Sequence, residues 1–409
     1  MLSRRALTNL LDRIGTLPME LLIFALVAQV FLIGTTASLS AFDAPWNRTS
    51  STIYGGASAA SGDGTSFNSI DACWRASGDW EQNRMRLADC GVGFGRETTG
   101  GKGGEYYVVT DEGDDAEEPA PGTLRYGVIQ MRPLWIVFAR DMTITLQNEL
   151  IFTSDKTVDG RGAQVHIAYG PCFTIQYVEN VIVHGLHIHD CRPGDAGRVR
   201  SSTDHIGYRE GSDGDAVSVF GSRNIWIDHN YFSSCADGLV DVIHASTAIT
   251  ISNNYFCNHN KVMLLGHNDA YSADKAMRVT VAFNRFGPGL IQRMPRCRFG
   301  YFHVVNNEYE GWGEYAIGGS ASPTIISEGN KFVASSSEKQ VTKRDCTSCS
   351  WQGWTWTSIG DTFLGGAYFV ESGATIDDPN SDNLISANTF NPSMTAAAGV
   401  LDCSKGRPC

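Results

Sequence analysis

Basic charge is scarce in this chain. Its 409 residues hold 32 Lys and Arg against 44 Asp and Glu, a formal net charge of −12. That balance excludes a general nucleic-acid binder or a basic membrane-surface protein. An acidic ligand stays admissible where a local basic cluster or a bound cation reverses the field. Charged residues of both signs make up only 19% and hydrophobic ones 42%, so a large core is available and general disorder is excluded. Several catalytic signatures are missing: there is no HExxH zinc motif and no nucleophile elbow. Gly100-Gly-Lys-Gly-Gly104 lacks the spacing and the Ser or Thr of a phosphate loop.

The N-terminal forty residues differ in kind. Arg4, Arg5 and Arg13 precede an apolar run, Leu21 to Ile33, followed by small residues through Ala41. Thirteen apolar residues fall short of the roughly twenty of a membrane span. The order of regions predicts a secretory signal over residues 1–40 and no stable membrane association. Secretion makes the eleven cysteines candidates for disulfides, with an odd thiol left over. The near neighbours are Cys73 with Cys90, Cys172 with Cys191, Cys346 with Cys349 and Cys403 with Cys409; spacing alone leaves the pairing open. Zinc is poorly supported, because no second CxxC accompanies Cys346–Cys349. Asn47-Arg-Thr49 is an acceptor for N-glycosylation.

A repeat runs through the rest. Ile225-Trp-Ile-Asp-His-Asn-Tyr-Phe232, Ile249-Thr-Ile-Ser-Asn-Asn-Tyr-Phe256, Val279-Thr-Val-Ala-Phe-Asn-Arg-Phe286 and Phe302-His-Val-Val-Asn-Asn-Glu-Tyr309 share one pattern. Each is a short alternating strand, then Asn, then an aromatic two positions on. The asparagines are 230, 254, 284, 307 and 330, and Asp361-Thr-Phe363 and Asn388-Thr-Phe390 continue the series more weakly. An antiparallel sandwich has no reason to keep a fixed corner residue. A parallel β-solenoid does, since each coil must bury its apolar face against the next. The Asn would take the left-handed corner and bond its counterparts, while the aromatics stack inside. The long 254–284 interval predicts a loop within 266–275. Residues 41–105 read as an N-terminal wrap, 106–400 as the solenoid and 401–409 as a Cys-containing tail.

Four carboxylates stand out by spacing: Asp213, Asp215, Asp237 and Asp241. Residues two or four apart share one face of a strand, and the two pairs lie one coil apart, so they should stack. Such a patch requires a cation, and hard oxygen ligands favour Ca²⁺. Lys261 and the cluster Arg293, Arg296 and Arg298 follow in later coils. Together they suit a polyanionic chain; for Arg296 surface salt bridging is the better reading. His184, His187 and His189 read as stacked or hydrogen-bonded solenoid residues rather than metal ligands.

The motifs Asp89-Cys-Gly-Val-Gly-Phe94, Val158-Asp-Gly-Arg-Gly162, Trp226-Ile-Asp-His229, Lys261-Val-Met-Leu-Leu-Gly266 and Gln292-Arg-Met-Pro-Arg-Cys-Arg298 carry a resemblance. From about residue 68 to about residue 344 the chain resembles the plant-type pectate lyases of polysaccharide lyase family 1. The resemblance implies a right-handed parallel β-helix, secretion to the plant cell wall as a monomer, Ca²⁺ as cofactor, and cleavage of de-esterified homogalacturonan by β-elimination. Carried over, Asp215, Asp237 and Asp241 match Ca²⁺ ligands, with Asp213 a further ligand once substrate is bound. Lys261 and Arg298 match substrate-binding residues and Arg293 the catalytic base. Asp228 and His229 would support the site. Asn230 stands where relatives often have Cys, and Asn258-His-Asn-Lys261 replaces His-His-Asp-Lys. Three alternatives are a pectin lyase, a polygalacturonase and a non-catalytic wall-binding β-helix.

Overall fold

The computed structural model describes residues 68–76, 78–335, 337–374 and 383–409. The expected signal segment and the Asn47 acceptor lie outside these residues. Short strands, from Glu105–Val109 to Thr362–Leu364, follow one another into three long sheets of ten, nine and eight strands. Apart from Glu105–Val109 beside Leu134–Phe138, neighbours within each are three or more strands apart in sequence, and all pair in parallel, as in Ile225↔Ile249↔Val279↔Phe302. This is a right-handed parallel β-helix. Among the described residues one hairpin, Gly197–Arg200 with Ile206–Arg209, pairs antiparallel. No described helix is long and apolar enough to cross a membrane.

The corner asparagines form a continuous ladder. Asn254 Oδ1 accepts from Asn230 N at 2.9 Å and from its Nδ2 at 3.1 Å. Asn284, Asn307 and Asn330 repeat this, and Asp361 closes the series by accepting from Asn330 N at 2.7 Å. All five asparagines are buried, so each bond removes a donor that would otherwise be unmatched in the core. The left-handed position is not the ladder residue itself, as expected, but the one before it: His229, Asn253, Phe283, Asn306 and Gly329 all have φ between 51° and 61°. The Asn stays free to be a strand-end acceptor because its predecessor makes the bend. Inside, Phe232, Phe256, Phe286, Tyr309, Phe332 and Phe363 stack at centroid spacings of 4.5–5.6 Å. Burying each such ring stabilises by about 1.5–3 kcal/mol.

Asn388 does not continue the ladder. The last rung strand ends at Leu364, well before residue 400, and residues 383–409 run back along the ten-stranded sheet. There Asn388 N bonds Asn306 Oδ1, and Asn306 Nδ2 bonds Asn388 O. The same sheet carries the helix Ser69–Arg75 and the segment after it, whose Ile70, Trp74, Trp80 and Leu87 pack with Trp135, Ile182 and Trp226. The first and last described segments meet here: Trp80 Nε1 donates to Arg407 O and Arg75 Nε to Cys409 O. Asn68 caps the helix and also donates to Asn253 Oδ1 and Met394 O. Four disulfides join the near-neighbour cysteines, 73–90, 172–191, 346–349 and 403–409. Cys235, Cys257 and Cys297 are free.

Candidate active site

The eight-stranded sheet positions the candidate residues on its outer face and at the turns that enter it. Asp213 and Asp215 precede the strand Val217–Phe220, and Asp237 precedes Val240–Ile243. Only Asp241 lies in a strand, aligned with Ser218 of the coil before. The expected same-face strand pairs therefore do not form; turns converge instead. Carboxylate oxygens of Asp213, Asp215 and Asp237 come within 4.8 Å of one another. Asp241 joins them from the strand. Gly238 is the gap between: a Cβ there would press into Asp241 Oδ1 and stand 2.9 Å from Asp215 Oδ1.

Burial, then the neighbouring Asp213 charge, pushes the Asp215 carboxyl up to about 7. Burial and then the Asp215 charge hold Asp241 well above the ordinary carboxylate range. Both shifts report negative charge confined with too little compensation. A hard divalent cation fits that donor set of exposed and half-buried carboxylate oxygens around a gap kept open by glycine.

Cations occupy the next two coils. Lys261 ends the strand His259–Lys261, and its ammonium pairs with Asp237. His259 Nε2 is 2.6 Å from Asp237 O, so this imidazole buttresses the Asp237 turn. Sequence reasoning missed that contact; adjacency to Lys261 was the sole signal. Gln292 aligns with Lys261 one coil on, and Arg293 follows it with φ 66°. Among the described residues Arg293 Nε, like Arg296 Nε, is buried without a hydrogen-bond partner, and Arg293 makes no ion pair. The other two arginines are committed. Arg296 pairs with Asp345 at 3.0 Å, as its surface reading predicts. Arg298 Nε donates to Asp269 at 2.9 Å, and its Nη1 to Gly266 O and His267 O.

Other expectations resolve elsewhere. Asp228 and His229 lie on the ten-stranded sheet, away from the carboxylates. Asp228 accepts from Ser252 and pairs with His184; His229 links Asp71 to Gly399 O. They clasp the terminal segments rather than support the site. His187 stacks on His166 at 4.5 Å, and His166 and His189 are joined at 2.9 Å. The extra residues of the long coil form the loop after Leu265, with the short 3₁₀ turn Ser272–Ala276.

A pectate lyase family model matches residues 144–350. An Arabidopsis thaliana protein described as "Probable pectate lyase 16" is 61% identical over 349 residues, covering 84% of this chain and 88% of that protein. The chain belongs to the pectate lyase family. A Zinnia elegans pectate lyase is 56% identical over 84% of this chain and 87% of its own length. The crystal structure of jun a 1, the major allergen from cedar pollen, superposes with a TM-score of 0.80 at 50% identity, covering 82% of this chain and 99% of that one.

Proposed function

We propose that this family member cleaves de-esterified homogalacturonan by Ca²⁺-dependent β-elimination, leaving a 4,5-unsaturated end, outside the cell in the plant wall. The observation that carries the reading is the order of groups along successive coils: three carboxylates within 4.8 Å, then Lys261, then an Arg293 with no ion pair among the described residues. Asp215, Asp237 and Asp241, with Asp213, would hold Ca²⁺, which would supply charge neutralisation to a uronate carboxylate. Lys261 shares that carboxylate, exchanging its contact with Asp237 for one with substrate. Arg298 holds a second uronate. Arg293 removes the C5 proton, and the glycosidic oxygen departs from C4 as the double bond forms.

Arg293 suits this part because the fold gives its neighbours acidic partners. A guanidinium already paired with carboxylate cannot give up its proton readily; the base must reach its neutral form, and an alkaline medium favours that. Four disulfides are consistent with an oxidising, extracellular setting. The deciding experiment is ultraviolet absorbance on polygalacturonate with Ca²⁺ and then with excess chelator. Rising absorbance that chelator abolishes and Ca²⁺ restores is the expected result. Chain shortening without absorbance would mean hydrolysis instead, and neither signal would leave a binding protein.

A further inference from the structure

Arg298 is less free than a substrate-binding arginine on an open groove would be. It stands on the outer face of the strand Arg296–Arg298, with Ser320 as its aligned partner one coil on. Three of its donor contacts are already used, and all run to the loop after Leu265 or to that loop's carboxylate. Asp269 Oδ1 accepts from Arg298 Nε at 2.9 Å and from Ser320 Oγ at 2.5 Å, so one oxygen bridges two adjacent coils. The loop that presents Asp269 is itself fixed. Buried Asp274 accepts from His267 N at 2.6 Å and, through its other oxygen, from Ala245 N at 2.7 Å. Gly266, with φ 116°, lets the loop backbone approach closely: a Cβ there would be 2.6 Å from Arg298 Cβ.

The environment makes such a hold necessary. Arg293 and Arg296 both act electrostatically on Arg298. Asp345 compensates Arg296, and Asp269 is the carboxylate that compensates Arg298. Without it, the Arg298 side chain would be free to turn away from its two cationic neighbours and lose a single presented geometry. With it, Nε and Nη1 are fixed, and Nη2, which donates to none of the described residues, is left for a ligand.

We propose that Asp269 is a positioning residue, which together with Ser320 holds the Arg298 guanidinium so that its Nη2 edge is presented to a uronate carboxylate of the substrate. The inference rests on the reading of Arg298 as a substrate-binding residue. Pre-organising one charged contact acts on ground-state binding, so it should appear in KM and leave kcat nearly alone.

The test compares Asp269→Asn, Asp269→Glu, Arg298→Ala and the double variant Asp269→Asn/Arg298→Ala in the full chain with Ca²⁺. Asp269→Asn should raise KM for polygalacturonate roughly five- to twentyfold with kcat within about twofold. Asp269→Glu should restore part of that loss, and Asp269→Asn should add little to Arg298→Ala. Calcium titration should be unchanged in every variant. Should Asp269→Asn fold poorly, Ser320→Ala probes the same oxygen and should raise KM by a smaller factor. An unchanged KM in Asp269→Asn beside a raised KM in Arg298→Ala overturns the inference and leaves the reading of Arg298 standing. A lowered KM overturns it too, since Asp269 would then be an internal competitor for the guanidinium. An unchanged KM in Arg298→Ala removes the reading of Arg298, and the inference with it.

Discussion

Arginines 293, 296 and 298 sit within six residues of one another, yet the fold treats them unequally: among the described residues 296 and 298 have carboxylate ion-pair partners and 293 has none. Arg293→Ala should therefore cut turnover by about 10²- to 10⁴-fold with the thermal midpoint nearly unmoved. Arg296→Ala should keep most activity and lose about 1 kcal/mol or less of stability, as expected for a rim ion pair. Steady-state kinetics beside thermal unfolding separates the two. At the carboxylates, Gly238→Ala fills the gap facing Asp241 and Asp215. It should weaken Ca²⁺ binding about tenfold or more, read by calorimetry. Because the Asp215 carboxyl is raised to about 7, protons compete with the cation below that pH. Affinity should climb as pH rises through about 7, with proton release on binding detectable in buffers of different ionisation enthalpy; pH-independent binding would count against the site. These candidates were legible because carboxylates, lysine and arginine recur near one coil's interval. His259, Asp269 and Asp345 were not, because what pairs with a residue across coils depends on turn geometry rather than on spacing.

At the scale of elements, the ladder and the aromatic column decide whether coils stay in register. Asn284 accepts from Asn254 N and Nδ2 and donates to Ile251 O and Asn307 Oδ1, all within the core. Asn284→Ala strands two buried donors of Asn254, at about 1–3 kcal/mol each. We expect a loss of about 3 kcal/mol or more, seen as a lower urea midpoint with an unchanged slope. The Asn-x-aromatic pattern made this architecture readable, since a solenoid repeats its physics every coil. The misread bend has a physical cause. Asn can both adopt a left-handed backbone and accept hydrogen bonds, and the structure divides the two tasks between neighbours. Asn388 matched the pattern by composition alone: a short Asn-Thr-Phe segment carries no information on whether it lies in a coil or on its outside. Asp228 and His229 were misplaced for a related reason, since strand alternation does not say which of three sheets a strand joins.

The coils are held together by the described segments that flank them in sequence as well as by their own contacts. Within the clasp on the ten-stranded sheet, burial alone would raise Asp71, but His229 and Arg75 outweigh it and keep this carboxyl below the usual range. Burial would lower His229, but Asp71 and Asp228 outweigh that and raise it. A lowered Asp contributes stability above about pH 3.8 and loses it as pH falls through the folded value. A raised His contributes fully below about pH 6.5 and loses it as pH rises through the folded value. The stability difference between wild type and Asp71→Asn should therefore be greatest between about pH 4 and 6.5 and shrink on either side. Thermal unfolding across pH 3–9 measures it, and a flat difference would disprove the clasp's electrostatic basis. The same clasp has a meaning for synthesis. Trp80 finds its acceptor in Arg407, and Arg75 in Cys409. These bonds join residues 327 and 334 apart in sequence, so they form only after every coil between them has been made. Order of assembly is thereby written into the fold: the coils can stack one on the next as they are made, while the clasp across them must come last.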